Sequence, residues 1–137
     1  MSKILVVDDE KNIRLVVGKS LEKAGYAVDY AVDGVEAVDK ANNISPDLIL
    51  LDLRLPKMNG FLVLEALKSD AATEEIPVII LSALSEEDDV QKAISSGAED
   101  FLVKPISQSD LLAAVEESIM EEETGQEEIE EEDNNEK

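Results

Sequence analysis

Short apolar runs, each the length of one strand, recur along this chain at helix-length intervals. Three of them consist only of large aliphatic residues: Ile4–Val7, Leu48–Leu51 and Val78–Leu81. A strand that is apolar at every position is typical of a parallel sheet covered by helices on both faces. Two further runs, Ala27–Ala31 and Phe101–Val103, complete a set of five, and the first of these is polar enough for an edge strand. The sequence therefore predicts an α/β domain with a doubly wound parallel sheet.

The segments between the runs carry apolar residues at helical spacing, so five helices are expected. Their predicted buried stripes are Ile13, Val17 and Leu21; Val35, Val38 and Ala41; Phe61, Leu64 and Leu67; Val90, Ala93 and Ile94; and Leu112, Val115 and Ile119. Asn59 is placed to cap the third helix. Ser85 and Ser107 each stand three residues before an aspartate, which predicts capping boxes at the fourth and fifth helices.

Composition excludes several classes of function. The net charge of −21 disfavours direct contact with nucleic acid or an anionic membrane, because both need basic patches. The chain contains no cysteine and no histidine, so a metal ion must be held by oxygen ligands, which favours Mg²⁺. No apolar run approaches the roughly 18 residues of a membrane span, and the N-terminus offers no signal peptide. We expect a cytoplasmic protein.

The last part of the chain differs from the rest. Residues 121–137 carry ten acidic residues and one basic residue, and Ile129 is their only large aliphatic residue. Such a segment cannot bury enough surface to fold alone. We expect a folded domain over residues 1–120 followed by an acidic tail, either disordered or a partial extension of the last helix. A docking role for this tail stays open.

Charged residues follow three of the apolar runs directly. Asp8 and Asp9 follow the first run, Asp52 the third and Lys104 the fifth. Because ligands bind at the carboxyl ends of strands in an open parallel sheet, these side chains are expected to converge at one edge. Clustered carboxylates are costly without a partner, so the pattern favours a metal site that does chemistry.

Four segments resemble the receiver domain of two-component response regulators of the CheY-like type: VVDDE at 6–10, LLDLRLPKMNG at 50–60, LSAL at 81–84 and FLVKP at 101–105. The resemblance covers roughly residues 3–120. It implies a flavodoxin-like five-stranded sheet in the order 2-1-3-4-5 with five flanking helices. It also implies phosphoryl transfer to a central aspartate from a histidine kinase or a histidine phosphotransfer protein, with Mg²⁺ as cofactor.

The resemblance implies a role for each matching position. Asp52 corresponds to the phosphoacceptor, and Lys104 is expected to contact the phosphoryl oxygens. Asp9 is expected to bind Mg²⁺ directly and Asp8 through water, while Asp52 and the backbone carbonyl of Arg54 complete the protein ligands. A lesser role for Asp9, as the cap of the first helix, stays open. The peptide bond before Pro105 resembles one that is cis in the family.

Two further positions match the family's switch residues. Ser82 is expected to donate a hydrogen bond to the phosphoryl group, which lets Phe101 turn inward and changes the face formed by helix 4, strand 5 and helix 5. Phe101 as simple core filling stays open. Arg54 and Leu84 flank the site in the resemblance, and their size predicts a moderately long-lived phosphorylated form.

Three other functions fit less well. A haloacid-dehalogenase-type phosphatase usually has a second aspartate where Arg54 stands, and a flavodoxin would need a phosphate-binding loop where Asp8, Asp9 and Glu10 stand. A DNA-binding regulator would need a basic helix-turn-helix segment after the fifth helix. We therefore expect a stand-alone response regulator that is not an enzyme in the usual sense and acts on an unidentified protein target. A degenerate receiver that serves as an adaptor is the alternative, and a phosphorylation-dependent homodimer stays open.

Overall fold

The computed structural model describes residues 1–120. Its sheet contains five strands: β1 (Lys3–Val7), β2 (Ala27–Ala31), β3 (Leu48–Leu51), β4 (Val78–Ser82) and β5 (Asp100–Val103). Four helices are α1 (Lys11–Lys23), α2 (Gly34–Ile44), α3 (Gly60–Lys68) and α4 (Glu87–Ser95), and residues 108–120 are helical as α5. All neighbouring strands are parallel, in the order β2-β1-β3-β4-β5. The predicted fold class and strand order are confirmed.

The three central strands, β1, β3 and β4, supply most of the core. Because side chains alternate across a strand, each strand feeds two apolar clusters, one on each face of the sheet. The first cluster contains Leu5, Val7, Ile49, Leu51 and Ile80 with residues of α2, α3 and α4, including Ala41, Leu64 and Ala93. The second contains Ile4, Val6, Leu48, Leu50 and Ile79 with Val17 and Leu21 of α1 and Leu111 and Val115 of α5. The sheet thus lies between two helical layers, and its carboxyl edge stays open.

In two of the predicted helical stripes one member is exposed, whereas Ala41 and Ala93 are buried as predicted. Val35, expected to be buried, is 46 % exposed, whereas Ala37 and Ala41 are buried. Residues four apart lie on one face of a helix, and in α2 that face is set by the two alanines. Ile94 of α4 is 44 % exposed for the same reason, since Ala93 occupies the inward position.

The helix caps follow the sequence prediction at two of three positions. Asn59 accepts a hydrogen bond from an N–H of α3 and Ser107 from an N–H of α5, both at 3.1 Å, as predicted. The capping box at Ser85 is wrong, because Glu86 is the residue that precedes α4 and its side chain makes no capping bond. The first turn of α4 instead carries three acidic residues, whose charge interacts favourably with the positive end of the helix dipole.

Within residues 1–120, no helix has the length and apolar character needed to cross a membrane. The predicted acidic tail, residues 121–137, lies outside the described residues. Its conformation therefore stays a prediction.

Candidate functional site

Three carboxylates meet at the carboxyl edge of the sheet. Asp8 directly follows β1 and is 2 % exposed, and Asp52 directly follows β3 and is 7 % exposed. The Asp52 N–H donates to the carbonyl of Val7 at 3.0 Å, which ties the ends of the two strands together. Oxygen atoms of Asp8, Asp52 and the exposed Asp9 all lie within 4.8 Å of one another. The structure thus brings together the acidic residues that the sequence placed on separate strand ends.

Lys104 reaches this cluster from the end of β5. Its Nζ lies 2.6 Å from Oδ2 of Asp8 and 3.2 Å from Oδ2 of Asp52. Burial by itself would lower the pKa of Lys104, but the hydrogen bond to Asp8 and the charges of Asp52 and Asp8 outweigh it, so this pKa is raised. The ammonium group therefore stays charged and neutralises part of the carboxylate cluster. The Lys104-Pro105 peptide bond is cis.

Each polar group of Asp8 is held by a different part of the fold. Its N–H donates to the Ala31 carbonyl at 3.1 Å, and its Oδ1 accepts from the Glu10 N–H at 2.9 Å. Its backbone carbonyl accepts from Nη1 of Arg14 at 2.8 Å. The loop between β1 and α1 is consequently fixed from three sides.

The loop after Asp52 packs tightly against the start of α3. The Arg54 N–H donates to Oδ1 of Asp52 at 3.2 Å, and the Gly60 N–H donates to the carbonyl of Leu53 at 2.8 Å. A Cβ atom at Gly60 would lie 2.4 Å from the carbonyl oxygen of Asp52, so only glycine fits. The position of Asp52 therefore depends on a close approach between backbones.

A second contact joins this loop to the start of α2. Lys57 has a φ of 68°, and its Nζ lies 3.4 Å from the buried Asp33. The pKa of Asp33 is lowered, first because its carboxylate accepts the Glu36 N–H and further because of the Lys57 charge. A Cβ at Gly34 would lie 2.1 Å from the carbonyl oxygen of Met58, so this approach also needs glycine.

Ser82 and Phe101 lie on the neighbouring strands β4 and β5. The Ser82 side chain is fully buried, and its hydroxyl accepts the Leu84 N–H at 3.3 Å. Phe101 is half-buried and packs against the same apolar cluster as Leu84. The switch roles of Ser82 and Phe101 stay predictions.

The cluster fits a magnesium ion by its chemistry. All three acidic side chains offer oxygen ligands, and the exposure of Asp9 leaves room for the waters that Mg²⁺ retains. The ammonium group of Lys104 contacts Oδ2 of Asp8 and Oδ2 of Asp52. The backbone N–H of Glu10 donates to Oδ1 of Asp8, and the backbone N–H of Arg54 donates to Oδ1 of Asp52. Asp8, Asp9 and Asp52 are the residues that could hold the ion, and the predicted part of the Arg54 carbonyl stays a prediction.

The sequence reasoning did not single out the contacts of Arg14 and Lys57. One signal for Arg14 was available, since a cation in the first turn of a helix is disfavoured by the helix dipole and suggests another role. No comparable signal marked Lys57, because its partner Asp33 lies on a loop that only the folded chain brings near.

The chain is similar in sequence to known response regulators. The model of the response regulator receiver domain matches residues 4–116. The DNA-binding dual master transcriptional regulator RpaA of Synechocystis sp. is 44 % identical over 115 residues, which cover 84 % of this chain and 48 % of RpaA. The chain therefore spans about half the length of this curated relative.

Solved structures agree. The chemotaxis protein CheY4 of Vibrio cholerae has a TM-score of 0.81 and 34 % identity, with 86 % of this chain and 98 % of that chain covered. The receiver domain of the sensor histidine kinase PA1611 of Pseudomonas aeruginosa, solved with a magnesium ion in its active-site cleft, has a TM-score of 0.80 and 29 % identity, with coverages of 86 % and 97 %. The family match, the strand order and the acidic edge agree, and the chain belongs to the response regulator receiver domain family.

Proposed function

We propose that this chain accepts a phosphoryl group on Asp52 from a phosphohistidine of a sensor histidine kinase or a histidine phosphotransfer protein. The observation that carries the proposal is the position of Lys104, whose Nζ bridges Asp8 and Asp52 beside Asp9. A carboxylate at the end of a central strand, with a fixed cation beside it, is suited to attack phosphorus. Membership of the receiver family supports the same assignment.

The transfer would proceed by displacement at phosphorus. An oxygen of the Asp52 carboxylate forms the new bond, while the bond from phosphorus to the histidine nitrogen of the donor breaks and that nitrogen keeps the electron pair. Lys104, already 3.2 Å from Asp52, would pair with a phosphoryl oxygen. Hydrolysis of the resulting acyl phosphate restores the carboxylate.

We assign the divalent site to Mg²⁺, held by Asp8, Asp9, Asp52 and the Arg54 carbonyl. A bound Mg²⁺ would neutralise charge on the phosphoryl oxygens. The support is the all-oxygen cluster in this chain and the magnesium ion in the related PA1611 receiver domain.

The phosphorylated form would act through Ser82 and Phe101. The Ser82 hydroxyl, which now accepts the Leu84 N–H, would turn to donate to a phosphoryl oxygen. The space that it leaves would admit the half-buried Phe101 ring and so alter the face formed by α4, β5 and α5.

We propose that this face binds a downstream protein. We further propose that the present chain works in the cytoplasm and that it turns over no separate substrate. The DNA-binding function named for RpaA belongs to a longer protein, of which this chain spans 48 %. The adaptor alternative is disfavoured, because Asp8, Asp9, Asp52, Ser82 and Lys104 are all present at the open edge of the sheet.

Transfer from a phosphohistidine donor tests this function. A labelled histidine phosphotransfer domain is mixed with the intact chain in Mg²⁺ and, separately, in excess chelator. We expect label on the wild-type chain in Mg²⁺, and none with chelator or with Asp52→Asn. Label on the Asp52→Asn chain would contradict the assignment of the acceptor.

A further inference from the structure

The direction of the Asp9 side chain is set only by the backbone of the loop between β1 and α1. Within residues 1–120, its carboxylate is exposed and no other side chain or N–H hydrogen-bonds to it. In the proposed metal site the Asp9 carboxylate is nevertheless one of the groups that bind Mg²⁺. Its direction therefore depends on the peptide units on either side of it.

Arg14 fixes one of these peptide units. Its Nη1 donates at 2.8 Å to the carbonyl oxygen of Asp8, which belongs to the peptide bond that joins Asp8 to Asp9. A peptide unit is planar and rigid, so this hydrogen bond sets the plane from which Asp9 projects. The next N–H, that of Glu10, is held by Oδ1 of Asp8 at 2.9 Å. Asp9 thus lies between two anchored groups.

The position of Arg14 is not explained by helix stability. It is the fourth residue of α1, near the end where the helix dipole disfavours a cation. The first turn has no acidic residue, and the capping residue Glu10 makes no side-chain capping bond. Lys11 also lies in this turn. Its side chain is exposed, and its ammonium group makes no hydrogen bond or ion pair within the described residues. The two cations therefore differ in whether they contact the loop.

We propose that Arg14 is a positioning residue that orients Asp9 for Mg²⁺, an inference that rests on the proposed metal site. The guanidinium has two effects of opposite sign, because its charge repels a cation while its hydrogen bond orders a ligand. Mg²⁺ demands near-octahedral geometry, and loss of a group that orients a metal ligand typically weakens metal binding about 10- to 100-fold. The orienting effect should therefore dominate.

The test is a titration of the full chain with Mg²⁺, in which binding is measured from the changes in amide chemical shifts. Arg14→Met removes the charge and the hydrogen bond, whereas Lys11→Met removes an equal charge from the same turn and no such bond. We expect Arg14→Met to weaken Mg²⁺ binding by about 10-fold, and Lys11→Met to leave it unchanged or slightly tighter. Equal or tighter binding by Arg14→Met would overturn the inference, and so would equal weakening by both variants.

Arg14→Lys provides a second, milder variant. It keeps the charge and one donor, so it should bind Mg²⁺ with an affinity between those of the wild type and Arg14→Met. In metal-free protein, the Glu10 amide should exchange faster in both Arg14 variants than in Lys11→Met. If Arg14→Met does not fold, wild-type affinity and exchange in Arg14→Lys would refute the positioning role.

The outcome also separates this inference from the proposed function. If the wild-type chain shows no shifts with Mg²⁺, the proposed metal site is wrong and the inference fails with it. If the wild type binds Mg²⁺ and Arg14→Met binds it equally well, the metal site stands and only the positioning role fails.

Discussion

At the scale of single residues, the site depends on how one ammonium group neutralises the two buried carboxylates of Asp8 and Asp52. Lys104 contacts Asp8 and Asp52 with its side chain only 15 % exposed. A charge pair at about 4 Å is worth roughly 4 kcal/mol at an effective dielectric near 20, before desolvation is subtracted. Lys104 and a divalent cation would therefore compete for the same two acidic side chains.

Replacing Lys104 with methionine should make the stability of the folded protein depend on Mg²⁺. Removal of one partner of a buried pair commonly costs 3–5 kcal/mol, and we expect about 1–3 kcal/mol here because Lys104 is partly exposed. Mg²⁺ should raise the thermal midpoint of Lys104→Met more than that of the wild type, since it replaces the lost cation. Lys19→Met, on the exposed side of α1, is the control. An identical Mg²⁺ effect in all three proteins would refute this competition.

The flanking residues should set the lifetime of the phosphorylated form. Leu84 is half-buried beside Ser82, and Arg54 is exposed beside Asp52, so both can limit the approach of water. We expect a moderately long-lived acyl phosphate in the wild type and faster hydrolysis in Leu84→Ala. The decay is measured after removal of the phosphoryl donor, with the exposed Leu62→Ala as control. A wild-type half-life of only seconds at neutral pH would contradict this expectation.

Asp33 should make stability sensitive to acid. Its pKa in the folded state is lowered, chiefly by the Glu36 N–H, so the charged form favours folding. This contribution is complete above the unfolded value of about 3.9 and disappears as the pH falls through the folded value. Asp33→Asn should therefore be less stable than the wild type at pH 7, and this difference should shrink below about pH 4. Urea unfolding at both pH values checks this, with the exposed Asp39→Asn as control, and a difference independent of pH would contradict it.

At the scale of elements, the sequence predicted strands better than helix faces and loops. Residues Ala27–Ala31 and Leu48–Leu51 form strands with the predicted bounds, because continuous apolar runs between turns have few alternatives. In α2, Val35 was wrongly predicted to be buried and Ala37 was missed, because the small side chain of Ala37 gave a weaker signal, whereas the burial of Ala41 was predicted correctly. The start of α4 was misplaced because favourable charges replace a capping side chain there.

The junction between β3 and α3 should tolerate no side chain at Gly60. A Cβ there would lie 2.4 Å from both the Asp52 carbonyl oxygen and the Leu53 Cα, and neither backbone atom can move alone. We expect Gly60→Ala to lower the free energy of unfolding by about 1–3 kcal/mol and to slow phosphorylation of Asp52.

Gly18→Ala is the matched control for this junction. Its Cβ would meet the end of the Tyr30 side chain and no backbone atom, so a side-chain adjustment is enough to accommodate it. Urea unfolding and phosphorylation rates compare the two variants. Equal effects of both, or no effect of Gly60→Ala on phosphorylation, would contradict the importance of this close approach.

At the scale of the whole molecule, the pattern of runs predicted a parallel sheet, but the strand order came only from the family resemblance. The spacing of apolar residues does not show which strands are neighbours in a sheet. The strand order was predicted because four motifs occur in the same order as in the receiver family, whose strand order is known. The placement of Asp8, Asp52 and Lys104 at one edge followed instead from their positions directly after apolar runs, and the structure brings the three side chains together there. The contact of Arg14 with the Asp8 carbonyl depends on how a loop folds back on its helix, and its one sequence signal was the unfavourable position of this cation in the first turn of α1.

The acceptor role of Asp52 is the claim on which the account depends. The purified chain is incubated with a small acyl-phosphate donor and Mg²⁺, and its intact mass is measured beside that of Asp52→Asn. We predict a gain of about 80 Da, one phosphoryl group, in the wild type and no gain in the variant. No gain in the wild type, or the same gain in Asp52→Asn, would contradict the account.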